Sequence, residues 1–406
     1  MTGPPPARLR HRPPPVVLDV RVVTGSGGGP DKTILNSPRF LEPLGYRMLC
    51  GYLTPPGDSG YADIERQAAK YGAPLVTIPD GGPLDWRVVP KLWKVCREEN
   101  VTVWHGHDYK TNALGLLLNR FWPMRLVTTL HGWVRHTART PLYYRIDRLC
   151  LPRYERVFGV SDDLVAAARG SGVAGHKCLL LENGIDTAEY TRLHSPAEAK
   201  AALGLPPHEF LIGAVGRLSP EKGFDLLLRS VRALRDSGHP VRLVVVGEGE
   251  DRPRLEALRL ELGLREAVEF PGWRSEVRLH YEAMDLFVLS SLREGLPNVL
   301  LEAMALEVPC VATRIAGVPK LVEHSASGWL VEPGDGRALT EGILRLMADP
   351  ELRSRYAGAA RRVIEGRYDF ARRMARLARE YDELLSRPAS APAPRSVPCP
   401  RWASYR

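Results

Sequence analysis

Two carboxylates eight residues apart raise the first chemical question. Glu294 stands in a Gly/Pro turn and Glu302 in the apolar run after it, within SSLREGLPNVLLEAMA at residues 290–305. Pro297 suits the first turn of a helix, where its missing N–H forfeits no bond. Leu300, Leu301, Ala303 and Met304 surround Glu302, and a carboxylate in such company needs a hydrogen bond or a partner charge. Upstream, residues 216–223 read GRLSPEKG and put Arg217 and Lys222 where an apolar strand ends and a helix begins. Arg holds two phosphate oxygens at once, and Lys offers a compact ammonium. With nine lysines against 47 arginines in the chain, a lysine here is informative. The alternative for both cations is exposed loop charge.

A second group of residues lies earlier in the chain. A strand over 16–23, interrupted by Asp19 and Arg21, runs into a loop with GSGGG at 25–29, and a helix opens with Pro30. Glycine lets backbone approach an anion, and a helix N-terminus presents N–H groups to it. Gly28 and Gly29 are therefore candidates for phosphate or sugar contact; an ordinary strand-to-helix turn is the other reading. A Walker A loop would need glycines at Ser26 and Asp31, and the dinucleotide pattern a glycine where Pro30 stands. His105, His107 and His131 end two further strands. Their spacing fits no zinc-enzyme pattern, so His131 is read as a hydrogen-bonding group at a strand end or a structural histidine, with no metal. Trp273, followed by Arg274, stands where it could wall a flat ring.

These residues need elements to hold them. Strand-like and helix-like patterns alternate from residue 16 to about 169 and start afresh at 210, which predicts α/β architecture with parallel sheets and helices on both faces. Ligands collect at the carboxyl ends of such strands, where the glycine loop, the histidines and the GRLSPEKG loop all fall. Proline at 206–207 sets a boundary, giving a domain over 16–205, a second over 206–369, a last helix over 370–386, and basic tails at 1–15 and 387–406.

The net charge of +9 resembles a nucleic-acid signal. However, Arg8, Arg10 and Arg12 in one tail and Arg387, Arg395, Arg401 and Arg406 in the other supply most of it, with no acid beside them. Pro/Ala/Ser-rich tails of this kind are solvated, so no nucleic-acid partner is expected. An electrostatic contact with an anionic membrane surface stays open. So does the role of the basic-aromatic segment 135–145, with Arg135, His136, Arg139, Tyr143, Tyr144 and Arg145: an acceptor-facing membrane contact, or a loop and a packed helix. Six cysteines without zinc spacing, no signal peptide and no apolar run of membrane-spanning length point to a reducing, cytoplasmic setting, with peripheral membrane contact not excluded.

Taken in order, GSGGG at 25–29, HG at 131–132, GRLSPEKG at 216–223 and REGLPNVLLEAMA at 293–305 resemble the retaining glycosyltransferases of the GT-B fold, family 4. The resemblance spans about 16–386 and includes the E-x7-E pattern as Glu294 and Glu302. It implies two Rossmann-like domains facing across a cleft, with the last helix crossing back to the first domain. It also implies a nucleotide-sugar donor held mainly by the second domain and a carbohydrate or lipid-linked acceptor. By the same resemblance, Arg217 and Lys222 neutralise the diphosphate and Glu294 meets donor-sugar hydroxyls, helped by the backbone of Gly295, Leu296, Pro297 and Asn298. Glu302 meets the ribose, and Trp273 and Arg274 border the base. Gly28 and Gly29 approach the phosphate and sugar, and His131 lies near the reacting sugar. Where the family often carries Glu after the glycine pair, Pro30-Asp31-Lys32 stands here.

The chemistry agrees. A nucleoside diphosphate leaves readily once its charge is met, by cations and helix N-termini. A glycosidase would need two carboxylates flanking one bond, about 5–9.5 Å apart, whereas eight helical residues rise about 12 Å. No D-x-D occurs, so no essential metal and no cofactor is expected. The competing enzyme is a nucleotide-sugar isomerase or epimerase on a related fold, and the non-enzymatic alternative is a basic binding protein acting through its tails.

Overall fold

Parallel strands buried on both faces need near-continuous apolar runs, and this chain supplies them. The computed structural model describes residues 13–132 and 140–387. Its first sheet comprises β1 (Val16–Val22), β2 (Arg47–Thr54), β3 (Leu75–Pro79), β4 (Val101–Gly106), β5 (Arg125–Leu130), β6 (Arg156–Gly159) and β7 (Cys178–Leu180), in the order 3-2-1-4-5-6-7. β1 pairs in parallel with both β2 and β4, so the strand order reverses between β1 and β4. The second sheet holds β8 (Phe210–Val215), β9 (Val241–Val246), β10 (Val268–Gly272), β11 (Leu286–Leu289), β12 (Cys310–Thr313) and β13 (Trp329–Val331), in the order 10-9-8-11-12-13. Here β8 pairs in parallel with β9 and β11, and the reversal lies between β8 and β11. Ligands of open α/β sheets bind outside the carboxyl ends of strands at such reversals. The sequence put the motifs on strand ends; the topology puts them on these particular ends.

Alternate side chains of each strand feed opposite faces. Leu243 and Val245 pack with Leu227, Leu228 and Val231 of the helix Phe224–Asp236. Val244 and Val246 pack on the other face, in the core that contains Leu300, Leu301 and Met304 of the helix Asn298–Ala305. Each fully buried Leu or Val contributes about 1.5–3 kcal/mol.

The chain divides into two compact units. The first runs to Gly159 and includes Leu164–Leu179 and the chain from Met374; the second comprises Val160–Asp163 and Leu180–Arg373. The expected boundary at 205/206 therefore lies inside the second unit. The reason is packing: Ile185 exchanges backbone hydrogen bonds with Tyr368 and Phe370, Ala199 is fully buried, and Lys200 Nζ meets Asp285 at 2.5 Å. Proline 206–207 punctuates a connector within one unit rather than a hinge between two. The helix Phe370–Ser386 starts in the second unit and passes into the first, where Tyr46 Oη donates to Asp382 at 2.5 Å and Arg156 pairs with Glu380 at 2.9 Å. β7, three residues long, carries too little pattern to read from sequence.

Residues 135–139 of the basic-aromatic segment lie outside the described residues, as do 1–12 and 388–406, whereas Tyr143, Tyr144 and Arg145 fall in the helix Thr140–Cys150. Among the described residues, no helix is long and apolar enough to cross a membrane.

Candidate active site

The loops after β8 and β11 are stitched together by one backbone and one side-chain hydrogen bond. Leu292 N donates to Glu221 O at 2.7 Å, and Ser290 Oγ to Lys222 O at 2.9 Å. Gly223 sits between them at φ +62°, and a Cβ there would lie 2.4 Å from Ser290 O. Only glycine accepts both that left-handed backbone and that approach. The stitching delivers Lys222 Nζ to Glu294 Oε1 at 2.6 Å, and Ser291 Oγ donates to the same oxygen at 2.8 Å. Both side chains of the pair are mostly buried, 19% and 11% exposed.

Arg217 does not join that pair. Its guanidinium is 46% exposed and lies 3.5 Å from both Glu221 and Glu250. Burial opposes ionisation of Glu221, yet hydrogen bonding to its own N–H and the charges of Arg217 and Lys222 hold its carboxyl below the usual range. The loop thus carries two cations against one ionised acid of its own.

Residues 295–297 are not helical. Pro297 is extended, at φ −74° and ψ +116°, and the helix begins at Asn298. This corrects the helical placing of Pro297, and the rise of eight helical residues does not describe the path from Glu294 to Glu302. The Gly295 carbonyl accepts from Gly317 N at 3.2 Å and that of Leu296 from Asn183 Nδ2 at 3.1 Å, which pins the turn. Glu302 is 2% exposed and accepts from Tyr281 Oη at 2.9 Å. Burial, then the Glu302 charge, push the Tyr281 phenol well above its ordinary pKa, so it stays a donor. Tyr281 is the polar partner that the apolar run around Glu302 demands. Trp273 and Arg274 follow β10, with Arg274 exposed and Trp273 half-buried.

In the first unit, the helix Gly29–Leu41 starts where the glycine loop ends. Asp31 turns back to accept from Gly28 N at 2.6 Å, and Arg21 faces its other oxygen at 3.3 Å. The Gly28 N–H is therefore engaged inside the loop. Gly28 itself is exposed, and a Cβ on it would meet nothing within 4 Å.

β4 ends in a histidine cluster. Asp19 of β1 is in register with His105 of β4. His107 Nε2 bonds Asp19 Oδ1, and His107 Nδ1 lies 2.9 Å from His131 Nε2. His105 lies between Tyr381 Oη at 2.6 Å and Thr129 Oγ1 at 2.7 Å, stacked on His107 with ring centroids 4.6 Å apart. Ligand atoms of Asp19, His105 and His107 lie within 4.8 Å of one another, close enough to consider a metal ion. Each of these rings is already held by hydrogen bonds to protein groups, which accounts for the cluster without one. Asp108 fixes the turn: it accepts from Lys110 N and Thr111 N at 3.0 Å, capping the helix Tyr109–Leu118, and from Val22 N at 2.8 Å, tying β1 to β4.

Sequence reasoning noted Asp19 only as an interruption of an apolar strand, and that interruption was the signal: an acid buried in a central strand needs donors. Tyr281 and Asp108 gave no signal of their own beyond their types.

Two Rossmann-type parallel sheets, each with its functional loops at the reversal of strand order, define a GT-B glycosyltransferase fold. Anabaena HepE, solved in complex with UDP-glucose, shares that fold with a TM-score of 0.78 at 23% identity, covering 91% of this chain and 99% of its own. Residues 20–189 match Glycosyltransferase Family 4, and residues 196–363 match Glycosyl transferases group 1. The D-inositol 3-phosphate glycosyltransferase of Corynebacterium urealyticum is 31% identical over 312 residues, 72% of this chain and 73% of that one. The lipopolysaccharide core biosynthesis mannosyltransferase LpcC of Rhizobium leguminosarum bv. viciae is 27% identical over 328 residues, 78% of this chain and 89% of that one. The chain belongs to the group 1, family 4 glycosyltransferases.

Proposed function

We propose that this glycosyltransferase moves a sugar from a nucleotide-sugar donor to a hydroxyl of a carbohydrate or lipid-linked acceptor, with retention at the anomeric carbon, in lipopolysaccharide or related glycoconjugate assembly. The observation that carries the donor half is the Lys222–Glu294 pair, held by stitched loops at the β8/β11 reversal. A cation beside a carboxylate suits a sugar diphosphate: Lys222 meets phosphate oxygens, and Glu294 accepts from sugar hydroxyls. In the reaction the bond from C1 to the diphosphate oxygen breaks and its electron pair leaves on the diphosphate. The acceptor oxygen bonds C1, and its proton passes to the departing diphosphate oxygen. Lys222, with Arg217 swinging from its exposed position, meets the charge that develops, an effect of about 3–4 kcal/mol for one well-placed donor.

Glu302, backed by Tyr281, takes the ribose hydroxyls, and Trp273 and Arg274 border the base. Gly28 and Gly29 let the donor approach through the open space at Gly28, and His131 contacts the sugar in transfer. No metal is needed for this division of roles. Contact with an anionic membrane surface is part of the proposal, supported by exposed Leu149 beside exposed Arg145 and Arg148. Sedimentation with and without anionic vesicles tests it, and equal recovery in the supernatant removes it.

The central test is a thermal-shift panel of UDP-glucose, UDP-galactose, UDP-N-acetylglucosamine and GDP-mannose. A donor at 100 times its dissociation constant stabilises by about 2.7 kcal/mol. The donor that stabilises is then incubated with lipid-linked or oligosaccharide acceptors. Transfer with the α or β configuration kept supports the proposal; inversion, or epimerised donor without acceptor, overturns it.

A further inference from the structure

The turn between Glu294 and the helix Asn298–Ala305 is fixed by its carbonyls. That of Gly295 accepts from Gly317 N at 3.2 Å. In a trans peptide the C=O and the N–H of the next residue point opposite ways, so the Leu296 N–H faces away from Gly317. The Leu296 carbonyl belongs to a peptide with Pro297, which has no N–H. Its partner is Asn183 Nδ2 at 3.1 Å, 113 residues away in sequence. Only the amide nitrogen of Asn can donate to a carbonyl, so the orientation of this side chain is settled. Among the described residues, neither Gly295 N nor Leu296 N meets an acceptor. Two successive carbonyls are thus taken by the fold, and the two N–H groups between Glu294 and Pro297 are left for oxygen atoms from outside.

We propose that Asn183 is a positioning residue for sugar transfer: its amide holds the Leu296 carbonyl so that the Gly295 and Leu296 N–H groups, following Glu294, donate to hydroxyls of the donor sugar. This role rests on the reading of Glu294 as a sugar contact given above. Asn183 is itself held on both sides, within the second unit. Glu182 O accepts from Arg373 Nε at 3.0 Å, and Ile185 exchanges backbone bonds of 2.8 and 2.9 Å with Tyr368 and Phe370. A Cβ on Gly184 would lie 3.1 Å from Tyr368 O and 3.2 Å from Phe370 Cα, so the backbone between those two grips lies close against that segment. The Leu296 side chain is buried in the same core as Leu300 and Leu301, which anchors the turn from its other end. The Asn183 bond goes to neither Lys222 nor Glu302, so losing it should disturb the sugar and spare the diphosphate and ribose.

The test separates sugar from nucleotide. Turnover of UDP-glucose or GDP-mannose, whichever stabilises the full-length protein, is read as release of nucleoside diphosphate, and UDP or GDP is titrated calorimetrically. In Asn183→Ala, kcat should fall at least about tenfold while the dissociation constant of the diphosphate stays within about twofold, the pattern of an interaction lost at the reacting sugar alone. Asn183→Asp keeps the shape but sets an oxygen against the Leu296 carbonyl; it should lose at least as much, and it carries the test if Asn183→Ala does not fold. Undiminished turnover in a folded variant overturns the proposal. So does a loss of diphosphate affinity equal to the loss of turnover, the mark of a merely structural residue. Glu294→Ala is run beside them. If it is inactive while Asn183→Ala is not, the Asn183 role alone falls. If Glu294→Ala turns over normally, the reading of the turn as a sugar contact falls and takes the proposal with it.

Discussion

Lys222 Nζ and Glu294 Oε1, 72 residues apart in sequence, stand 2.6 Å apart because their loops are joined by Leu292 N to Glu221 O and by Ser290 Oγ to Lys222 O. Neither residue makes a site alone. The pair is mostly buried, so each partner is held in place while no donor is present. Lys222→Ala should lower kcat/KM by about 10²–10³-fold, the range for losing one preorganised charge-stabilising donor. Lys222→Arg should not rescue it, because a planar fork does not replace a compact ammonium at a carboxylate only 2.6 Å away. Wild-type turnover in Lys222→Ala, with an unchanged thermal melt, would remove Lys222 from the machinery.

Gly223 makes a separable prediction about stability. Its left-handed backbone is shared with Gly204, but a Cβ at Gly204 would meet nothing within 4 Å, whereas one at Gly223 would collide with Ser290 O. Gly204→Ala should cost about 1 kcal/mol for strain alone. Gly223→Ala should cost more than that and also lower turnover, since the loops must part. Urea unfolding of both variants decides it, and equal losses would show that the close approach yields.

Tyr281→Phe removes the donor that meets buried Glu302. The expected destabilisation is about 1.5–3 kcal/mol, the range for a hydrogen bond to a charged group. Nucleoside diphosphate affinity should fall as well, because Glu302 would lose its orientation. Calorimetric titration with UDP and GDP on a variant shown to be folded measures the second effect. Undiminished affinity for the nucleotide that the unaltered protein binds would detach Glu302 from the ribose.

Burial pushes the Cys96 and Cys310 thiols up to about 12 and the Cys150 thiol to about 11. At pH 8 only about one in a thousand Cys150 side chains is the reactive thiolate. In a Cys399→Ser protein, Ellman's reagent should titrate none of the five buried thiols, Cys50, Cys96, Cys150, Cys178 and Cys310, in the folded chain, against five after unfolding. The sign of the linked stability follows. The folded pKa lies above the unfolded one, so the contribution is complete below about 9 and is lost as pH rises toward 12. Urea midpoints that stay level from pH 9 to 11 would contradict the buried thiols.

Dialysis against EDTA should leave transfer unchanged. The expectation is most exposed at Asp19, His105 and His107, whose ligand atoms come within 4.8 Å of one another. Loss of transfer on chelation, restored by one equivalent of Zn²⁺, would assign that cluster to a metal instead of a hydrogen-bonded chain.

Much of the fold was legible because its signals are local. The strand expected over 16–23 forms as Val16–Val22, the alternation restarts with the strand Phe210–Val215, and the last helix forms over 370–386. The GRLSPEKG and E-x7-E motifs were legible because glycine, proline and charge stand at fixed offsets. The boundary at 205/206 was not, because proline marks a turn but cannot say which unit packs the chain on either side of it. Ile185 against Tyr368 and Phe370 is a pairing across more than 180 residues. Arg217 was grouped with Lys222 by adjacency, and the loop turns it toward Glu221 and Glu250 instead.

The sequence by itself determined that the chain alternates strands and helices in two halves and carries the residues of a family 4 glycosyltransferase, since periodicity and short motifs depend only on neighbours in the chain. Tertiary structure alone decided which strand ends lie at the reversals of order, that Lys222 meets Glu294, that Tyr281 answers Glu302, and that Asp19, His107 and His131 form a line. Those facts rest on strand register and side-chain packing between distant segments. A single chain of letters does not contain them, because burial and hydrogen-bond partnership are properties of what surrounds a residue and not of what precedes it.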